Sequence, residues 1–196
     1  ATGTAFEAGE SGPEGGGLAL SPYGLSKSLT NEALRHMARW RGLRFGRFVV
    51  AGPFGPWEEG RMVWSLMQRW FEGQAGIVRT PRYVRDNSRV PLLAQAYVGL
   101  AEPLLAAAGP QERIARPSGF VGTQEAFARR LAAEMGPRLG LACEVDVLAQ
   151  PELSEPLVRI NDEPCLGAGW DEGGFWDAYA DYYRRVAAGG LLSAPA

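Results

Sequence analysis

Ser21-Pro22-Tyr23-Gly24-Leu25-Ser26-Lys27 opens the first long helical stretch of the chain, and the fold is read outward from it. Serine is a favoured N-cap and proline belongs at the first helical position, so the pair predicts a helix start. The helix is expected to run to about Trp40, with Leu29, Leu34 and Met37 among its core-facing residues and Arg41-Gly42 ending it. Upstream, Ala1-Thr2-Gly3-Thr4-Ala5-Phe6 has the character of a strand end, and residues 7–20 form a Gly- and Glu-rich loop. Downstream, Leu43 to Ala51 has the Val and Phe content of a strand, stopped by the GPFGP cluster at 52–56. Strand, loop, helix and strand in that order make one βαβ unit, which predicts parallel pairing and a right-handed crossover.

Tyr23 and Lys27 stand four residues apart, so a helix puts both on one face. A phenol near pKa 10 is a poor acid or base at neutral pH. An ammonium about 4 Å away, at an effective dielectric of 20, is worth about 4 kcal/mol. That lowers a phenol by up to roughly three units before desolvation opposes it, giving a usable proton donor and acceptor. The bland alternative is a surface Tyr–Lys pair. Against it stands the composition: of 20 basic residues, 19 are arginine, and Lys27 is the only lysine.

Further along, residues 59–72 suggest an amphipathic helix, with short extended stretches around Ile77–Thr80 and Tyr83–Asp86. Val90–Ala108 is a second long helix that Pro103 is expected to kink or end. Residues 112–121 are loop or strand, Thr123–Glu134 a helix, Cys143–Leu148 a strand and Gly173–Ala187 an aromatic-rich helix, with the GGLLSAPA tail frayed. The expected class is therefore α/β. A partial parallel sheet and its Tyr-x-x-x-Lys helix occupy 1–51, and a mixed α/β lobe occupies 52–196.

Composition narrows the function. The 196 residues, 46% hydrophobic and 21% charged, suit one large domain or two small lobes. No apolar run reaches the 18 or more residues of a membrane helix. A net charge of −2 argues against a general partner role with nucleic acid or anionic membrane. Cys143 and Cys165 lack metal-ligand spacing, so no metal site is expected, and their presence as thiols suits a reducing cytoplasm.

S-P-Y-G-L-S-K, after a strand ending T-G-T-A-F-E, resembles the active-site segment of the extended short-chain dehydrogenase/reductases. These are NAD(P)-dependent epimerases, dehydratases and reductases of nucleotide sugars, built on a Rossmann-like sheet with a substrate lobe. The resemblance implies catalytic roles for Thr2, Tyr23 and Lys27. Thr2 would orient the substrate, Tyr23 would shuttle the proton, and Lys27 would bind the nicotinamide ribose. Arg47-Phe-Val-Val-Ala-Gly-Pro53 resembles the strand and turn usually ending N-x-Y-G-P, implying cofactor contacts at Val50 and Gly52 and substrate contacts at Thr4 and Val49. Val49 and Ala51 depart from the usual asparagine and tyrosine. Val84-Arg85-Asp86-Asn87-Ser88-Arg89-Val90 resembles the R-D-F-I-H-V segment, which implies that Arg85 grips a sugar-nucleotide phosphate. A structural ion pair between Arg85 and Asp86 or another acid is the alternative. Trp57, just after the GPFGP turn, either lines a sugar pocket or belongs to core or rim packing.

The match runs from Thr2 to about Leu100 and loosens beyond. Gly9-x-x-Gly12-x-x-Gly15 has fingerprint spacing but the wrong context: it opens no helix, Pro13 lacks an N–H, and Glu10 and Glu14 would repel phosphate. The family places about 100 residues of coenzyme-binding βαβ units before the triad. The chain is accordingly expected to be a C-terminal portion with an incomplete NAD or NADP site and little activity alone. The family also implies a homodimer through the Tyr23–Lys27 helix and the 90–108 helix. The competing class is a non-catalytic module, a pseudoenzyme or split-enzyme subunit that binds a sugar nucleotide or a partner chain. His36, lacking any acid–nucleophile spacing, is structural, and no G-x-S-x-G elbow is present. The aromatic cluster Trp170, Phe175, Trp176, Tyr179, Tyr182 and Tyr183 has the spacing of helix packing.

Overall fold

The structure, a computed structural model, describes residues 2–4, 22–58, 60–150, 157–165, 169–190 and 192, with backbone alone at 2–4. The expected loop at 7–20, the Ser21 cap and most of the frayed tail lie outside the described residues.

In chain order the elements are β1 (Thr2–Thr4), α1 (Pro22–Arg41), β2 (Phe45–Val50), β3 (Gly52–Phe54), α2 (Met62–Phe71), β4 (Gly76–Val78), β5 (Val84–Arg89) and α3 (Val90–Ala106). They continue as β6 (Glu112–Ala115), β7 (Pro117–Ser118), β8 (Phe120–Thr123), α4 (Gln124–Leu139), β9 (Val145–Val147), β10 (Val158–Arg159), β11 (Glu163–Pro164) and α5 (Glu172–Ala188). The fold is α/β with parallel sheets, as the opening βαβ unit requires. Contacts divide the chain into two units. The first holds Ala1–Pro53, Val84–Val121 and Leu153–Leu166; the second holds Phe54–Tyr83, Gly122–Glu152 and Gly167–Ala196. The opening segment of the first unit ends at Pro53, and the chain later returns twice to that unit.

The sheet of the first unit has the order β1-β2-β6, all parallel, with Thr2 opposite Phe48 and Phe45 opposite Glu112. Alternation along β2 gives it two distinct faces. Phe48 turns toward α3, where it joins Leu93 and Leu100, with Leu104 and Ala115 packed alongside. Gly46 lies on the same face, and a Cβ there would come within 2.6 Å of the Leu104 side chain, so the close seating of α3 needs glycine. On the other face, Phe45 and Arg47 meet Asn31 and Arg35 of α1 around a cavity of about 330 Å³. α1 and α3 therefore lie on opposite faces of β2.

Two expectations are corrected here. Leu29, Leu34 and Met37 are exposed, and α1 turns Gly24, Asn31 and Ala38 inward instead. These three sit seven residues apart, two helical turns, and give the sheet a narrow seam of small or polar residues. The leucine periodicity marks an apolar stripe but cannot say which side of the helix is covered. Of the kink or end expected at Pro103, the end is overturned, since α3 continues to Ala106. The Arg44 guanidinium donates to the Leu105 and Ala107 carbonyls at 2.6 and 3.3 Å, supplying partners at the end of the helix.

The second unit is packed around α5. Phe175, Trp176, Tyr179 and Tyr183 are buried, and Phe54 sits among their rings at 5.1 Å from Phe127 and 5.8 Å from Phe175. Both flanking helices carry side-chain N-caps: Thr123 accepts from the Ala126 N–H and Asp171 from the Gly174 N–H. α4 runs to Leu139, five residues past the expected end, with Phe127, Leu131 and Met135 buried along it. The expected aromatic packing of the last helix is what the structure contains.

Candidate active site

A helix returning the chain between parallel strands begins near their carboxyl edge, where ligands of open α/β sheets bind. The first turns of α1 carry Tyr23 and Lys27 there. Lys27 Nζ lies over the Tyr23 ring, 5.4 Å from its centroid, so phenol and ammonium share a face as their spacing requires. Tyr23 is 53% exposed, and its backbone carbonyl accepts from Ser26 Oγ at 2.8 Å. The contact is a cation over a ring face, whereas the sequence argument took an ammonium beside the phenol oxygen.

The remaining anticipated residues are placed as follows. Thr2 and Thr4 are known by register alone, opposite Phe48 and Val50. Val49 is buried, and its carbonyl accepts from Asn161 Nδ2 at 3.0 Å. Val50 and Gly52 are half-buried; a Cβ on Gly52 would come within 2.8 Å of the Asp86 carbonyl, so the turn after β2 passes close over β5. Arg85 is buried, its Nη1 donating to the Val84 and Leu157 carbonyls at 2.9 and 3.2 Å. Trp57, in the second unit, is 85% exposed and takes φ +71°, the one positive φ outside glycine among the described residues.

Asp86 does not pair with Arg85, because successive strand residues face opposite sides. Its buried carboxylate accepts from the Gly119 N–H at 2.7 Å, the Ser88 hydroxyl at 3.1 Å and the Asn161 N–H at 3.2 Å. Asn161 in turn donates through Nδ2 to the Val49 and Pro117 carbonyls at 3.0 and 2.9 Å. Its amide spans the place where β2 and the chain after β6 leave their ladder. Sequence reasoning missed this network. The only local signal was the polar character of a strand, V-R-D-N-S-R, too rich in hydrogen-bonding groups for an apolar core.

Titration chemistry elsewhere is set by burial. Desolvation lifts Glu58 from 4.5 to about 7 against the opposing pull of Arg61 and a Gly55 backbone hydrogen bond. Desolvation lifts the Cys143 thiol to about 11, and burial followed by the Asp86 charge raises Cys165, so neither thiol is activated as a nucleophile. Glu112 is held low: burial works against ionisation, but hydrogen bonds and charge from Arg39 and Arg35 outweigh it. Among the described residues no cluster could hold a metal ion, and no helix is long and apolar enough to cross a membrane.

No protein-family model matches the chain, and no curated protein matches it. Solved structures do. UDP-N-acetylglucosamine 4-epimerase from Methanobrevibacter ruminantium, in complex with UDP-N-acetylmuramic acid, superposes with a TM-score of 0.68 at 14% identity over 94% of this chain and 62% of that one. UDP-glucose 4-epimerase from Thermus thermophilus, complexed with NAD, gives 0.65 at 17% identity, covering 93% and 62%. Bacillus cereus UDP-glucuronic acid 4-epimerase, with UDP-glucuronic acid and NAD, gives 0.60 at 16% identity, covering 89% and 56%. The chain thus has the Rossmann-like α/β fold seen in these UDP-sugar 4-epimerases. It spans about 60% of the length of those proteins.

Proposed function

We propose that this chain provides the catalytic helix and substrate lobe of an NAD(P)-dependent enzyme acting on a nucleotide sugar, as an epimerase, dehydratase or reductase of the extended short-chain dehydrogenase/reductase family. The carrying observation is the Tyr23–Lys27 pair on the exposed face of α1. A hydroxyl that donates and accepts, one helical turn from an ammonium with three donors, fits the diol of a nicotinamide ribose beside a sugar hydroxyl. The nicotinamide, when bound, supplies hydride transfer at a sugar carbon. Tyr23 takes the proton from the sugar hydroxyl or returns it, Lys27 holds the ribose, and Thr2 orients the reacting hydroxyl. The backbone at Val50 and Gly52 borders the nicotinamide end, while Thr4, Val49 and Arg85 serve the sugar nucleotide. Both cysteines are unpaired, which suits a cytoplasmic enzyme.

The described residues contain no glycine loop of the kind that cradles a pyrophosphate, so turnover by this chain alone is expected to be low. The test uses the chain supplied with a glycine-loop-bearing coenzyme half, in cis or in trans. Tyr23→Phe should lower kcat by at least about 100-fold with an unchanged circular dichroism spectrum. Unchanged turnover would remove Tyr23 from the mechanism.

A second reading, a partner-binding module without turnover, is favoured by one observation. α1 exposes Leu25, Leu29, Met37 and Trp40, and α3 exposes Tyr97, Val98 and Leu105. Such faces suit a partner chain, a second copy included. Sedimentation together with NAD(H) titration separates the readings, since a module associates without binding the dinucleotide.

A further inference from the structure

Glu58 lies in the second unit, in the turn Gly55–Glu58 that follows the buried ring of Phe54. The turn is closed by a Glu58 N–H bond to the Gly55 carbonyl at 3.4 Å. Its third residue, Trp57, holds φ +71°, a strained conformation for a bulky residue. The Trp57 ring meets Tyr182 edge-on at 5.8 Å, and the Glu58 carboxyl lies near Tyr179 and Tyr183, where its charge adds to the burial that raises both phenols. Among the described residues Glu58 Oε2 is buried with no hydrogen-bond partner, and burial outweighs the Arg61 charge and the Gly55 backbone hydrogen bond that favour the ionised form. A carboxyl in that position avoids the cost of an unpaired buried charge by holding its proton.

We propose that the Gly55–Glu58 turn is a proton-operated latch: protonated Glu58 lets it lie folded against α5, and ionisation releases it, carrying Trp57 off Tyr182. Among the described residues, the groups facing Glu58 are the phenols of Tyr179 and Tyr183 from α5 and the guanidinium of Arg61 on its own segment. Phenols and guanidinium groups do not change charge between pH 4 and 8, roughly the window that matters, so Glu58 is the group that changes. Its pKa is raised on closure, from 4.5 to about 7, so closure is favoured fully below pH 4.5 and loses ground as pH rises through 7. Across that window the open-to-closed ratio grows by roughly tenfold per pH unit and then levels off.

The experiment is a pH titration of the full chain by NMR, reading the Glu58 carboxyl carbon and the Trp57 indole N–H, the latter assigned by its loss in Trp57→Phe. The carboxyl should titrate with an apparent midpoint above 4.5 and no higher than about 7, and the indole resonance should follow the same curve. In Glu58→Gln, an isosteric and permanently neutral replacement, the indole should stay at its low-pH position throughout. A Glu58 midpoint at the ordinary carboxylate value, an indole that does not move, or an indole that moves equally in Glu58→Gln would each overturn the latch.

Discussion

The interior around Asp86 in the first unit and the interior around α5 in the second are built from opposite materials. Around Asp86, buried groups are polar, and each holds a neighbour by a directed bond: a carboxylate to two backbone N–H groups and a hydroxyl, an amide to two carbonyls. Around α5, Trp176, Tyr179, Tyr183 and Phe54 bury large rings at centroid separations of 5.1–6.4 Å, with few directed bonds. The first kind of interior resists loss of a particular atom, the second loss of volume. The polar one lies beside the carboxyl end of β2, and the aromatic one lies where α5 packs against Phe54 and against Phe127 of α4.

Substitutions can break this contrast. The largest effect is expected for Trp176→Ala, which empties a site only 1% exposed. Urea unfolding should show a loss of about 3–5 kcal/mol, and Trp176→Phe, which keeps most of the volume, should recover much of it. Asp86→Leu comes next, at about 2–4 kcal/mol by the same measurement, because it keeps bulk but strands the Gly119 and Asn161 N–H groups. If Asp86→Leu proved neutral, the polar cluster would be packing by volume like its counterpart, and the contrast would fail. The smallest is Ser88→Ala, at about 1 kcal/mol, since the carboxylate keeps both backbone donors after losing the hydroxyl.

How much could be read in advance varies with the distance between the partners. Tyr23 and Lys27 meet because four residues make about one helical turn, and parallel pairing of β1 with β2 follows from the strand–helix–strand order. The aromatic face of α5 was legible for the same reason, as a repeat at helical spacing. The Asp86 network was not. Its partners lie 33 and 75 residues away, and Asn161 reaches Val49 across 112. No local pattern encodes pairings at those separations, and a strand spelled V-R-D-N-S-R is recognisable as interior only once its partners are in place. The placement of Glu58 near the phenols of Tyr179 and Tyr183 was likewise invisible, since a glutamate in a Gly/Pro-rich turn is ordinarily solvated.

The sequence by itself determined the α/β class, the parallel strands flanking α1, and the shared face of Tyr23 and Lys27, because backbone periodicity and chain order act over a few residues. Tertiary structure alone decided that Leu29, Leu34 and Met37 face outward while Gly24, Asn31 and Ala38 face the sheet, that α3 continues through Pro103, that Asp86 is buried among its donors, and that the half-buried Glu58 lies near Tyr179 and Tyr183. Burial and hydrogen bonding depend on what lies across the gap, and the chain supplies that from far along its length.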